Sequence, residues 1–232
     1  MRIAWATPFN TKSAIGRYSL EVCRALSRQG HAVEICRTET GEALQIAVLS
    51  DEFPVHPAAA LDPATLRERF DVVVVNLGDY DLFHAGALEL YSQPHVVSIF
   101  HDSDLRHLMV ARTPAGVPLE DLAEVVPAAL QVQGPAAARS ERNLSLFAAL
   151  SAAAVAHGPH YLHGLQAACP GPVRMLPLCY PDLGSVPPNA SDAEFVVTTF
   201  GMINPNKQPA RVMQAIAAAP RLRERAVYHL VG

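Results

Sequence analysis

The chain has 232 residues, 50% of them apolar, and a formal net charge of −4. It is long enough for one large domain or two small ones and apolar enough to build a core, which excludes a disordered chain. An acidic balance without a long basic block argues against nucleic acid as a partner. The Arg and Lys clusters near residues 106–112, 139–142 and 221–225 read more simply as solvated faces.

Short apolar runs alternate with segments of helical period. "RIAWA" (2–6) predicts a first strand. A helix follows, with Ile15, Tyr18, Val22 and Leu26 near one face and Gly30 as its stop. "HAVEIC" (31–36) and "LQIAVL" (44–49) predict the second and third strands, and Asp62-Pro63 caps a short helix. "DVVVVNL" (71–77), with four consecutive valines, suits a parallel strand buried on both faces. "DLFHAGALELYS" (81–92) predicts a helix and "HVVSIF" (95–100) a strand. Residues 104–150 are expected to be mostly helical, with breaks at Pro114, Gly116 and Gly134-Pro135. Strand "AAAVAH" (152–157), helix "PHYLHGLQAAC" (159–169) and strand "PVRMLPL" (172–178) complete the series. Residues 179–194, rich in Pro, Ser, Asn and Asp, predict a linker. A last strand, helix and strand occupy 195–232.

This alternation predicts an α/β fold: a Rossmann-like parallel sheet with helices on both faces over residues 1–178, followed by a second, incomplete Rossmann-like unit. Isolated cysteines (Cys23, Cys36, Cys169 and Cys179), without metal-ligand spacing, predict small buried hydrophobes and no disulfide framework, hence a cytoplasmic protein. The N-terminus "MRIAWATP" lacks the apolar stretch of a signal peptide. No apolar run approaches ~20 residues, so nothing spans a membrane, although contact with its inner face is compatible.

In such sheets ligands bind at loops that leave the C-terminal strand ends, which singles out residues 7–15, 76–81, 101–107 and 201–208. In the first loop Gly16 sits where a helix begins. Amides there can hold a phosphate or carboxylate, or the glycine merely eases a turn. A dinucleotide site would want G-x-G-x-x-G and an acidic residue closing the second strand. Here one glycine is present and the strand ends "ICR", which disfavours an NAD-dependent dehydrogenase. In the second loop Gly78 permits an unusual backbone, while Asp79 and Asp81 are acceptors for hydroxyls or cations; Asp81 reads more simply as a helix N-cap. In the third, His101 and Asp102 follow a strand end directly. They fit a metal site with His107 and Asp104, an acid/base pair, or hydrogen bonds to sugar hydroxyls. Equally, an aspartate caps the helix and His101 is a satisfied buried histidine. In the fourth, Lys207 precedes a helix N-terminus at Pro209, as a diphosphate clamp or as a solvated lysine.

The stretches "MRIAWATPFNTKSAIGRYSLEVCRALSRQGHAVEI", "VVVVNLGDYDLFHAGALELYSQPHVVSIFHDSDLRHL" and "FVVTTFGMINPNKQPARVMQAI" occur in the order and spacing of a known family. Together they resemble the retaining glycosyltransferases of family four, which have the GT-B fold. The resemblance implies that the loop of Gly16 and Arg17, with Gly78 and Asp79, faces the substrates across an interdomain cleft. It places His101, with Asp102, near the transferred sugar, and Gly201, Asn206 and Lys207 against the donor diphosphate. Two departures stand out: Met202 and Ile203 occupy the place where the family commonly has an arginine, and Gly78-Asp79 replaces the usual Gly-Asn.

The family's Glu-x7-Glu motif would lie beyond residue 232. The expectation is therefore an acceptor-side domain, a linker at 179–194 and the first β-α-β unit of a donor-side domain, inactive without the missing C-terminal part. The implied partners are a nucleotide-sugar donor and a saccharide or lipid-linked acceptor, with no metal or other cofactor. The alternatives from other classes are a catalytically silent binding module and a metal-dependent hydrolase built on His101, Asp102 and His107.

Overall fold

A computed structural model describes residues 1–93, 95–105, 107–108, 141–179, 184, 195–201, 203 and 207–232. The chain divides into two compact units, Met1–Pro181 and Asp182–Gly232.

The first unit is a seven-stranded parallel sheet flanked by helices. In chain order it contains β1 (Arg2–Thr7), α1 (Ala14–Arg28), β2 (Ala32–Arg37), β3 (Val55–Pro57), α2 (Pro63–Arg69), β4 (Val72–Leu77), α3 (Asp81–His84), β5 (Val96–Phe100), α4 (Glu141–Ala149), β6 (Ala153–Ala156), α5 (Leu162–Ala168) and β7 (Val173–Met175). The strand order is β3-β2-β1-β4-β5-β6-β7, so the direction of winding reverses between β1 and β4. Every pairing is parallel, with Trp5 opposite both Ile35 and Val74, and Val75 opposite Ser98. The loops that follow β1, β4, β5 and β6 therefore leave one rim.

The valine run of β4 has a physical reason. Val73, Val75 and Leu77 point into one apolar layer with Ala4, Ala6, Leu90, Phe100 and Leu165. Val74 points into the other, with Ile3, Trp5, Leu20, Cys23, Ile35 and Ile99. A strand buried on both faces has no solvent side on which to place polar residues. Cys23, Cys36 and Cys169 are buried as expected, whereas Cys179 is exposed.

The predicted boundaries need three corrections. Residues 44–49 are not a strand; the third strand is Val55–Pro57. The earlier run folds back on the loop after β1 instead of joining the sheet. Thr11 donates to the Ala47 carbonyl, Leu49 to the Phe9 carbonyl, and the Arg37 guanidinium to the Ile46 carbonyl. The helix expected over 81–92 is α-helical only to His84 and continues as a 3₁₀ segment, Ala85–Ser92. At the break the Gly86 N–H donates to the Thr38 carbonyl (2.9 Å), a bond outside the helix. Finally, β7 ends at Met175, short of 178. The helices expected between 109 and 140 lie outside the described residues, as do the linker positions 180–183 and 185–194.

In the second unit β8 (Phe195–Phe200) and β9 (Ala226–Val231) pair in parallel, and α6 (Pro209–Ala218) and α7 (Pro220–Arg223) lie between them in sequence. Phe195, Val196, Phe200, Val227, Leu230 and Val231 are exposed large apolar residues. Among the described residues no helix is long and apolar enough to cross a membrane.

Candidate functional site

The predicted residues of the first unit meet on the rim formed by the ends of β1, β4 and β5. Ser13 caps α1: its Oγ accepts the Gly16 N–H at 2.9 Å. That amide is therefore committed to the cap rather than offered to a phosphate. The glycine is needed for a different reason. A Cβ at Gly16 would lie 2.5 Å from the Pro8 carbonyl oxygen, so the helix can approach the β1 loop this closely only without a side chain. Arg17 is exposed, and its guanidinium donates to the Thr11 carbonyl (3.2 Å) within its own loop.

Gly78 is equally constrained. A Cβ there would lie 2.7 Å from His84 Nε2, 2.9 Å from Ile15 Cδ1 and 3.1 Å from Asp102 Oδ2. The second and third loops are thus interlocked. The Asp79 N–H donates to Asp102 Oδ2 (2.8 Å), while Asp79 Oδ1 accepts the N–H groups of His107 (2.7 Å) and Leu108 (3.1 Å). His107 Nδ1 reaches Asp79 Oδ2 at 2.5 Å. Asp79, expected to face a ligand, thus spends both oxygens on the neighbouring loop. It caps the His107 and Leu108 amides, while Asp102 accepts the Asp79 N–H. Asp81 is not a cap either: Tyr80 takes that position, without a side-chain bond, and Asp81 is the first residue of the helix.

His101 and Asp102 differ in environment. Burial pushes the His101 imidazole down to about 3, with His157 and His84 adding to the effect. The Asp102 carboxyl is raised, first by desolvation and also by the Asp79 charge, against the opposing Asp79 N–H bond. His101 Nε2 lies 3.0 Å from Asn76 Oδ1, and Asn76 Nδ2 donates to the Ala6 carbonyl at 3.0 Å. With its amide nitrogen committed to that carbonyl, Asn76 presents an acceptor oxygen to His101. The neutral imidazole therefore carries its proton on Nε2 and leaves a lone pair on Nδ1. His101 and His107 are held by different partners, Asn76 and Asp79. Among the described residues no group of three or more His, Cys, Asp or Glu is placed to hold a metal ion.

Three residues that the motifs did not single out organise this rim. Asn76, fully buried, joins β1, β5 and α3, since its backbone carbonyl also accepts from His84 Nδ1 (3.1 Å). His84 is buried and pushed down to about 4 by that burial. His157 follows the end of β6 as His101 follows β5, and the two rings lie 4.7 Å apart between centroids. Tyr18 of α1 packs edge-on against both, at 4.9 and 5.2 Å. The signals were present: an amide closing a run of four valines, and a histidine at another strand end of the same sheet.

At the end of β2, Arg37 turns inward and pairs with buried Glu39 (3.0 Å), which also accepts from Asn10 Nδ2 (2.9 Å). Both contacts fall on Glu39 Oε1, while among the described residues its Oε2 is buried with no hydrogen-bond partner.

In the second unit Gly201 has φ 88°, a left-handed conformation that favours glycine, and Lys207 Nζ lies 3.8 Å from where its Cβ would be. Lys207, Gln208 and Arg211 line a cleft of about 530 Å³ together with Val197, Val212 and Ile216. Asn206 and Met202 lie outside the described residues. No protein-family model and no curated protein matches this chain.

Proposed function

We propose that this chain is a glycosyltransferase, or the N-terminal part of one, moving a sugar from a nucleotide-sugar donor to a saccharide or lipid-linked acceptor with retention at the anomeric carbon. The observation that carries this reading is the rim itself. The winding reversal beside β1 brings the Gly16 loop, the Gly78 loop and His101 to one edge, where a parallel sheet offers a ligand site. His101, held neutral and locked by Asn76, suits a hydrogen bond from a sugar hydroxyl to Nδ1 better than proton donation. Lys207 beside Gly201, with Arg211 in the first turn of α6, suits contact with a donor diphosphate. Basic side chains and a helix N-terminus can stabilise that leaving group without a metal.

Titration of the chain with a panel of nucleotide sugars tests the reading. Binding is expected, and Lys207→Ala should weaken it roughly ten- to a hundredfold through loss of a charge-assisted bond. An unchanged affinity in the variant would remove the diphosphate contact. No binding by any member of the panel would leave the silent binding module as the better account.

A further inference from the structure

His157 lies outside the residues that the function above assigns, yet its imidazole is built into the same edge. Its Nδ1 lies 2.8 Å from the Leu176 carbonyl, an acceptor only, so Nδ1 carries the proton and donates. Its backbone N–H donates to the Tyr161 hydroxyl (2.9 Å), which in turn donates to the Phe100 carbonyl (2.9 Å). The His157 backbone is thereby anchored to the last residue of β5, one position before His101, while its ring is held by the Leu176 carbonyl. Its remaining nitrogen, Nε2, is a buried acceptor with no hydrogen-bond partner. A buried polar atom without a partner is destabilising, and a fixed ring that bears one is arranged at a cost to the fold.

His101 has the complementary arrangement. Its Nε2–H is spent on Asn76, and its Nδ1 lone pair remains. Two imidazoles 4.7 Å apart, each with one nitrogen tied to the protein as a donor, therefore offer two acceptor nitrogens and no donor. Tyr18 packs against both rings and fixes their separation.

We propose that His101 Nδ1 and His157 Nε2 form a two-acceptor subsite that takes hydroxyl groups of a neutral polyol, such as a hexose or cyclitol, and does not take its phosphate or carboxylate. Two lone pairs attract O–H donors and repel an anion, which brings only acceptor oxygens. This subsite rests on the reading of the rim as a sugar-binding edge proposed above, and adds His157 to it as a specificity-determining residue.

The ring nitrogens give a direct test. Long-range ¹H–¹⁵N spectra of the wild-type chain, assigned with single-histidine variants, should show His101 as the Nε2–H tautomer and His157 as the Nδ1–H tautomer. Adding myo-inositol or methyl mannoside should shift His101 Nδ1 and His157 Nε2 together, and inorganic phosphate should move neither. His157→Phe keeps a ring against Tyr18 and removes the acceptor, and it should weaken polyol binding about tenfold or more. The proposal fails if neither polyol perturbs the two nitrogens, if phosphate shifts them as strongly, or if zinc alone shifts both nitrogens and the polyols do not. Failure of the function and failure of the subsite are separable. Polyol binding through this pair without binding of any nucleotide sugar would overturn the transferase and leave the subsite. Nucleotide-sugar binding together with polyol binding that is indifferent to His157→Phe would overturn the subsite alone.

Discussion

β4 and β8 are written in the same alphabet, "VVVVNL" and "FVVTTF", and both pair in parallel with a neighbouring strand. They end in opposite environments. Val75 and Leu77 of β4 are 0% exposed, whereas Phe200 of β8 is 67% exposed. The first strand has two neighbours in the sheet and apolar layers on both faces; among the described residues the second has one neighbour. An apolar run therefore specifies the extended conformation, but its stabilisation comes from the area that other elements cover. A pair of strands without covering layers is marginal by itself, whatever its propensity.

That contrast can be broken most directly by hydrogen exchange. Amides of β4 and β5 should exchange at least about a thousandfold more slowly than those of β8 and β9. Equal protection would show that residues 195–232 own a covered core in solution.

Core truncations sharpen the same difference. Leu77→Ala removes a fully buried side chain and should cost about 2–5 kcal/mol in urea denaturation. The single tryptophan, Trp5 in β1, is the reporter. Leu230→Ala, at a half-exposed site of β9, should leave that transition within about 0.5 kcal/mol of wild type.

Acid should act on the first unit through its buried imidazoles. His84 and His101 have folded values near 4 and 3, below their ordinary 6.5, so the unfolded chain binds more protons than the folded one in this window. Their contribution is intact above about pH 6.5 and is lost as pH falls from there through 4 and 3, by up to about 1.4 kcal/mol per pH unit for each. The Trp5 melting temperature measured from pH 7 to 4 should drop, and His84→Asn should shallow the slope. A flat profile would mean that neither ring is held neutral.

The smallest effects distinguish two glycines. Gly16→Ala forces a Cβ onto the Pro8 carbonyl and should destabilise by about 1–3 kcal/mol. Gly164→Ala, within α5 and with nothing within 4 Å of the new carbon, should stabilise by about 0.5–1 kcal/mol. Equal outcomes would show that the close approach at Gly16 is relieved in solution.

The α/β alternation, the double burial of β4, the cap at Asp62 and the rim on which His101 lies were legible in the chain. Each depends on local chemistry: side-chain period, a capping carboxylate whose oxygen accepts the Ala64 and Thr65 amides, and the fixed polarity of a parallel strand. What the side chains on that rim do depends on long-range packing. Asp79 caps a backbone amide 28 residues away, and Gly16 admits the close approach of α1 to the Pro8 carbonyl while its own amide bonds to Ser13. Asn76 became the hub because β1, β4 and β5 lie side by side, which brings its amide to Ala6 and to His101 at once. The same adjacency, between β5 and β6, pairs His101 with His157 across 56 residues of chain. No local window contains those distances, because they are set by which strands become neighbours and how closely the layers on either face pack against them.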